Sequence, residues 1–357
     1  MTLVRAGAGR GGQADRGYAA GTAAAERPVL GLTVSVVICA SALDRWDDLK
    51  QAVVSVGSQA ADEIVLVIDH CAELQAQAGV LAQLLPWNVV VAPNRFEPGL
   101  AGARDTGLAV AQSDIVAFLD DRGAADPGWL AALAGHYQDP RVLGVGGVVR
   151  PGWPDGRPSW WPPELDWAVG CSYQGMPAGA VPVRNFLAAN MSFRCAVLED
   201  CGGFSAGPAG AGPVPAGFAD TELCLRISQR HPEGILVYEP AAAVSHQVPG
   251  TDATGGSLRS ACYARGRSRA LVARLAGPSP VFAPGRSYVR GTIPRGIWRS
   301  LTDPPGGRLS GLMAALTLVL AMTLATAGHL TGKITARRVT AHPPHRHSPP
   351  LTTPSSS

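Results

Sequence analysis

Charge is scarce in this chain. Only 16% of its 357 residues are Asp, Glu, Lys or Arg, and the net charge is +3. No stripe of basic residues interleaves with aromatics, so nucleic acid is not an expected partner. Paired cysteines are missing as well. The seven cysteines (Cys39, Cys71, Cys171, Cys195, Cys201, Cys224, Cys262) form no Cys-x-x-Cys pair and no Cys/His zinc spacing. Several lie inside apolar runs, which predicts buried, reduced thiols in a reducing compartment. Residues 1–29 contain no apolar stretch suited to a signal-peptide core. The first strand–helix turn, "CASALDRWDD" (39–48), has no Gly-x-Gly-x-x-Gly, which disfavours a dinucleotide-dependent oxidoreductase.

What is abundant is glycine, with 43 residues, and proline, with 30. The Gly/Ala/Arg-rich segment 1–30 reads as a disordered leader, and the Pro/Ser/Thr/His-rich end, within 333–357, as a disordered tail. Between them the length is ample for a buried core. The runs "TVSVVIC" (33–39), "EIVLVI" (63–68), "NVVVA" (88–92) and "DIVAFL" (114–119) read as strands buried on both faces. Helical spacing appears at Leu49, Val53 and Val56, and again in the Gly-rich start of "GLAGARDTGLAVAQ" (99–112). Strands alternating with helices predict a doubly wound, mostly parallel sheet, with ligands beyond its carboxyl edge. Acidic residues follow two of those strands, at Asp69 and at Asp120–Asp121.

The second half is less regular. "NFLAANMSFRCAVLEDCGGF" (185–204) reads as strand, turn, short helix and Gly-Gly turn, and "SAGPAGAGPVPAG" (205–217) as a mobile loop. Asp220 N-caps a helix in "DTELCLRISQR" (220–230), and "ILVYEP" (235–240) is a strand with His246 past its end. Residues 251–308 form a helical or linker extension. From Leu309 to Gly332 there is no Asp, Glu, Lys or Arg, enough for a helix to cross a bilayer core. Basic residues flank both ends: Arg295, Arg299 and Arg308 before, Lys333, Arg337 and Arg338 after. Two basic flanks run against a simple span and suit a helix lying in, or re-entering from, the inner face of a membrane; span and in-plane placement both stay open, as does a buried or dimer-forming helix.

Six stretches in register, "VSVVICA", "EIVLVIDH", "GLAGARDTGLAVAQSDIVAFLDD", "ANMSFRCAVLEDCGGF", "ADTELCLR" and "VYEPAAAVSH", resemble the family 2 glycosyltransferases, inverting enzymes of the GT-A fold. The similarity covers roughly 33–250, and weakly the helical remainder to about 330, with the GT-A domain expected over 31–250. It implies a nucleotide-sugar site lined by Cys39, Ala40, Asp69, Arg104, Asp120, Asp121 and Arg122, with Asp69 accepting from the base or ribose and Arg104 reaching the donor phosphates. It implies a divalent cation, Mn²⁺ or Mg²⁺, near the diphosphate, with Asp121 and His246 as ligands. Arg122 stands where the family has a metal-binding Asp. Three arrangements accommodate it: the metal rests on Asp121 and His246, or Arg122 itself neutralises the diphosphate, or activity is lost.

The resemblance also implies that Asp220 is the base that takes the acceptor's hydroxyl proton, with Glu222 as a reserve on the same segment. The family's paired acid is Ala219 here, and Asp105 stands where Asn is commoner, without an assigned role. "WWPPELDWAVGCSYQG" (160–175) is similar to a subgroup that works on lipid-linked or surface glycans, and offers Trp160, Trp161, Trp167 and Tyr173 as an acceptor platform or as packing. The expected activity is therefore sugar transfer to a lipid-linked or cell-envelope glycan at the cytoplasmic face of the membrane. The alternative is a non-catalytic GT-A scaffold that binds a nucleotide or partner.

Overall fold

The structure is a computed structural model that describes residues 31–204, 218–275, 288–304 and 306–336. The leader, the loop 205–217 and most of the C-terminal tail lie outside the described residues. In chain order the elements are β1 (Val34–Ala40), α1 (Trp46–Gly57), β2 (Glu63–Ile68), α2 (Ala72–Leu84), β3 (Val89–Pro93), α3 (Leu100–Val110), β4 (Ile115–Asp120), β5 (Gly123–Ala125) and α4 (Trp129–Gly135). There follow β6 (Val142–Gly152), β7 (Val181–Val183), β8 (Asn190–Arg194), α5 (Cys195–Cys201), α6 (Phe218–Arg230), β9 (Ile235–Gln247), α7 (Gly255–Leu275), α8 (Ile293–Thr302) and α9 (Arg308–Ala336).

Period-two alternation explains why the strands carry unbroken apolar runs. Val34, Val36 and Ile38 of β1, with Ile64, Leu66 and Ile68 of β2, face a layer made by α1, α2 and α4. Val37, Val65, Val67, Val116 and Phe118 face the other way, onto α3, α5 and α6. Gly107 of α3 has no room for a side chain, since a Cβ there would lie 2.3 Å from Val37 Cγ1. The helix therefore sits directly on β1.

The sheet runs β3-β2-β1-β4-β8-β6-β9-β5, with β7 on β9. β1 is parallel to β2 and β4, and β2 to β3, so these strands end on one edge. β8 is antiparallel to both β4 and β6, β9 is parallel to β6, and β5 is antiparallel to β9. β9 is longer than its apolar run suggests. Its register against β6 jumps from Gly147↔Glu239 to Val148↔Ala243, so Pro240 falls in a bulge and the strand resumes beyond it. His246 is thus inside a strand, opposite Gly123 of β5, rather than past the strand's end.

The remaining helices form a platform. Trp161, Leu165, Leu258, Cys262, Ile293 and Leu318 share a third apolar cluster. α7 and α9 meet almost backbone to backbone, because a Cβ on Gly266 would lie 2.1 Å from the Ala325 carbonyl oxygen. α9 is the one helix among the described residues long and apolar enough to cross a membrane. Leu309, Leu312, Met313, Leu316, Val319 and Leu320 on it are exposed.

Candidate active site

The carboxyl ends of β1, β2 and β4 bring the predicted polar groups to one edge. Cys39 lies opposite Asp120 in the β1–β4 ladder. The Asp69 N–H donates to the Ala40 carbonyl at 2.8 Å, fixing the exit of β2 beside β1. The Asp69 carboxylate accepts from Asn94 Nδ2 at 2.6 Å and from the Gly99 N–H at 2.8 Å. It thereby holds the turn before α3, where Gly99 adopts φ +134°, a region open to glycine.

Asp120 accepts from the Arg122 N–H at 3.0 Å, and His246 Nδ1 lies 3.5 Å from its Oδ1. Burial opposes the Asp120 anion, but His246, the Arg122 N–H and the Arg122 and Arg104 charges hold its pKa below the ordinary value. Asp121 is buried and 3.3 Å from Arg45 Nη1. Burial and the Asp120 charge push its pKa up to about 7. Burial lowers the pKa of His246, which favours neutral imidazole, and its Nδ1 is buried without a hydrogen-bond partner.

Asp120 and the unpartnered His246 Nδ1 are donor types that Mn²⁺ accepts, although the ligand atoms of Asp120, Asp121 and His246 do not all lie within 4.8 Å of one another. The carboxylate beside the imidazole is that of Asp120, while Asp121 faces Arg45. Among the described residues, the one group whose ligand atoms lie within 4.8 Å of one another is Asp200–Cys201–His231, at the opposite end of α6 from Asp220. There Asp200 is already paired with Arg230.

Arg104 and Asp220 are both buried and paired through Nη1 and Oδ1. Arg104 Nη2 also donates to the Ala188 carbonyl at 2.9 Å, and its guanidinium stacks 5.2 Å from the Phe204 ring centroid. One Asp220 oxygen is thus oriented by a fixed cation. Glu222 is engaged by Arg226, four residues on. Arg122 pairs through Nη1 with Asp252, just before α7, which ties the site to the helical platform.

Cys39 marks the convergence. Burial pushes its thiol up to about 12, and the charges of Arg104, Asp121, Asp120 and Asp69 all act on it. Asp120 and Asp69 thus lie at the end of β1, Asp120 opposite Cys39 in the ladder and Asp69 hydrogen-bonded to Ala40, and Asp220 is tied to Arg104. Arg45 and Asp252 were not anticipated. Arg45 lies in the polar "CASALDRWDD" turn and Asp252 in "GTDATGG", and a polar turn close to a strand end is the only local sign of either.

The aromatic block divides. Trp161 is buried, and its indole N–H donates to Asp166 at 3.1 Å. Trp167 is half-buried, donating to the Tyr288 hydroxyl at 2.9 Å. Trp160 is tilted against Trp161, with ring centroids 5.5 Å apart.

Comparison with known proteins adds to this geometry. The sequence pattern of Glycosyl transferase family 2 matches residues 35–202. The glucosyl-dolichyl phosphate glucuronosyltransferase of Haloferax volcanii is 30% identical over 224 residues, which span 61% of this chain and 70% of that protein. The pre-mycofactocin glycosyltransferase of Mycobacterium tuberculosis is 30% identical over 149 residues, 42% of this chain and 30% of that protein. A mannosyltransferase from Pyrobaculum calidifontis, solved in complex with GDP-Man and Mn²⁺, matches in fold with a TM-score of 0.54 at 15% identity, covering 87% of each chain.

Proposed function

The chain belongs to glycosyl transferase family 2 and is a glycosyltransferase of the GT-A fold, and from that premise we propose that it moves a sugar from a nucleotide-sugar donor to a lipid-linked or cell-envelope glycan acceptor, with inversion and with Asp220 as general base. The observation that carries the reading is the buried Arg104–Asp220 pair, whose Arg104 charge also acts on Asp120 at the end of β4. Arg104 holds Asp220 Oδ1, leaving the second oxygen to accept the acceptor's hydroxyl proton. As that proton moves to Asp220, the acceptor oxygen attacks the anomeric carbon from the face opposite the nucleotide. The bond to the diphosphate breaks, and its electron pair leaves with the nucleotide diphosphate.

Asp69, already fixed by Asn94 and Gly99, retains lone pairs for the donor's base or ribose. Cys39 and Ala40 line the same strand end. Asp120, Asp121 and His246 would hold a divalent cation, which supplies charge neutralisation of the departing diphosphate. Arg122 is engaged by Asp252 and contributes a positive charge at the rim.

The lipid-linked acceptor is supported by the name of the Haloferax volcanii relative, which acts on a glucosyl-dolichyl phosphate. The apolar outer face of α9, with Arg308 and Lys333 near its ends, supports attachment to the cytoplasmic face of a membrane. The test is a panel of nucleotide-sugars incubated with the full chain in Mn²⁺ or EDTA, following nucleotide diphosphate release. Release with one donor, stimulated by Mn²⁺, is the expected result. Donor binding without turnover would mark a non-catalytic scaffold.

A further inference from the structure

A second cation stands on an aromatic cluster, and no carboxylate among the described residues pairs with it. Arg265 is in the middle of α7, and its guanidinium carbon lies 4.4 Å from the Trp167 ring centroid. That ring is held in place: Trp167 donates to the Tyr288 hydroxyl at 2.9 Å, which donates to the Glu164 carbonyl at 2.7 Å. Tyr173 packs edge-on against Tyr288, with centroids 5.2 Å apart. Trp167, Tyr173 and Tyr288 are half-buried, and Arg265 retains exposed surface. Protein nevertheless crowds the guanidinium enough that burial pulls its pKa below the usual arginine value.

Among the described residues no carboxylate pairs with Arg265, in contrast to Arg45, Arg104, Arg122, Arg157 and Arg299. Stacking on Trp167 orients the exposed guanidinium, whose planar donors have no carboxylate partner among the described residues. Charge and geometry then match the oxygens of a phosphate. Arg269, one turn further on, adds positive charge. The position is also informative. Trp167 and Tyr173 bracket Cys171, on which the Asp120 and Arg122 charges act. On its other side α7 lies against the apolar α9.

We infer that this arginine-on-tryptophan cluster binds the phosphate of a lipid-linked acceptor, with Arg265 pairing to the phosphate oxygens and Trp167 fixing the plane of the guanidinium. The inference rests on the lipid-linked reading of the acceptor given above. The lipid chain would lie toward α9 and the sugar or hydroxyl end toward Asp220.

The test is calorimetric binding of farnesyl phosphate to the full chain in detergent, with farnesol and inorganic phosphate as comparison ligands. Farnesyl phosphate is expected to bind at least about ten-fold tighter than either, as a charge-assisted contact implies. Arg265→Gln should weaken it about ten-fold, and Arg265→Lys, which keeps the charge but not the planar stack, by less. Arg230→Gln, a surface change at the far end of α6, should leave it unaltered. No farnesyl phosphate binding, no effect of Arg265→Gln, or an equal effect of Arg230→Gln overturns the inference. Equal binding of inorganic phosphate overturns the lipid assignment. If Arg265→Gln does not fold, Arg265→Lys and Trp167→Leu carry the same comparison. A thermal shift of the unaltered chain by nucleotide-sugars reads separately on the donor, so its absence would sink the glycosyl-transfer reading and not the phosphate site.

Discussion

Asp105 is the residue whose replacement tests the electrostatics of the scaffold most cleanly. It sits in α3 next to Arg104, and its Oδ1 accepts from the Phe204 N–H at 2.6 Å. That bond holds Phe204 where its ring stacks on Arg104. Burial raises the Asp105 pKa from 3.8 to about 6 despite the Phe204 N–H and the nearby Arg226 and Arg104 charges. The difference corresponds to roughly 3 kcal/mol at 1.36 kcal/mol per pH unit. The side chain is only half-buried, so solvent screening reduces this to about 1–2 kcal/mol. The sign follows from proton linkage. A carboxyl with a raised pKa binds its proton more tightly when folded, so the penalty is absent below pH 3.8 and complete above about pH 6. Asp105→Asn keeps the acceptor oxygen and removes the charge. Its Tm should match that of the unaltered chain at about pH 3 and exceed it by about 3–6 °C at pH 8. Thermal melts at the two pH values decide the matter. An identical difference at both would show that the charge of Asp105 is not what burial opposes.

Gly266→Ala places a Cβ 2.1 Å from the Ala325 carbonyl and should destabilise the chain by about 1–3 kcal/mol, read as a lower Tm; an unchanged melt would show that α7 and α9 separate freely. Leu316→Glu with Leu320→Glu charges the exposed face of α9 and should lower co-sedimentation with anionic vesicles ten-fold or more, on the order of two lost apolar anchors. Asp252→Asn releases Arg122 from its ion pair and should tighten nucleotide diphosphate binding in EDTA by about two- to five-fold, the scale of a partly exposed pair. Weaker binding in that variant would place Arg122 away from the diphosphate.

The parallel half of the fold was legible because β1, β2 and β4 are covered on both faces and so need unbroken β-branched runs. Asp69 and Asp120 stood out at those strand ends, whereas Arg104, inside α3, came only from the family resemblance. Pro240 misled the reading of β9: a proline ends a regular ladder, but here it occupies a bulge, after which pairing with β6 continues and delivers His246 to β5. β5 and β7 are three residues each, too short to leave a periodic signal. Arg45 and Asp252 were not legible because their partners lie 76 and 130 residues away. Trp161 and Trp167 share one aromatic block, and only the packing of α7, α8 and α9 onto it decides which is enclosed.

The central claim is that Asp220, oriented by Arg104, removes the acceptor's proton. The most direct measurement is the rate of nucleotide diphosphate release by Asp220→Asn with saturating donor and acceptor, beside the donor affinity of the same variant. Asparagine can still accept from Arg104, so the fold and donor binding should persist while the rate falls by about 10²–10⁴-fold. A rate within ten-fold of the unaltered enzyme, at unchanged donor affinity, would contradict the account.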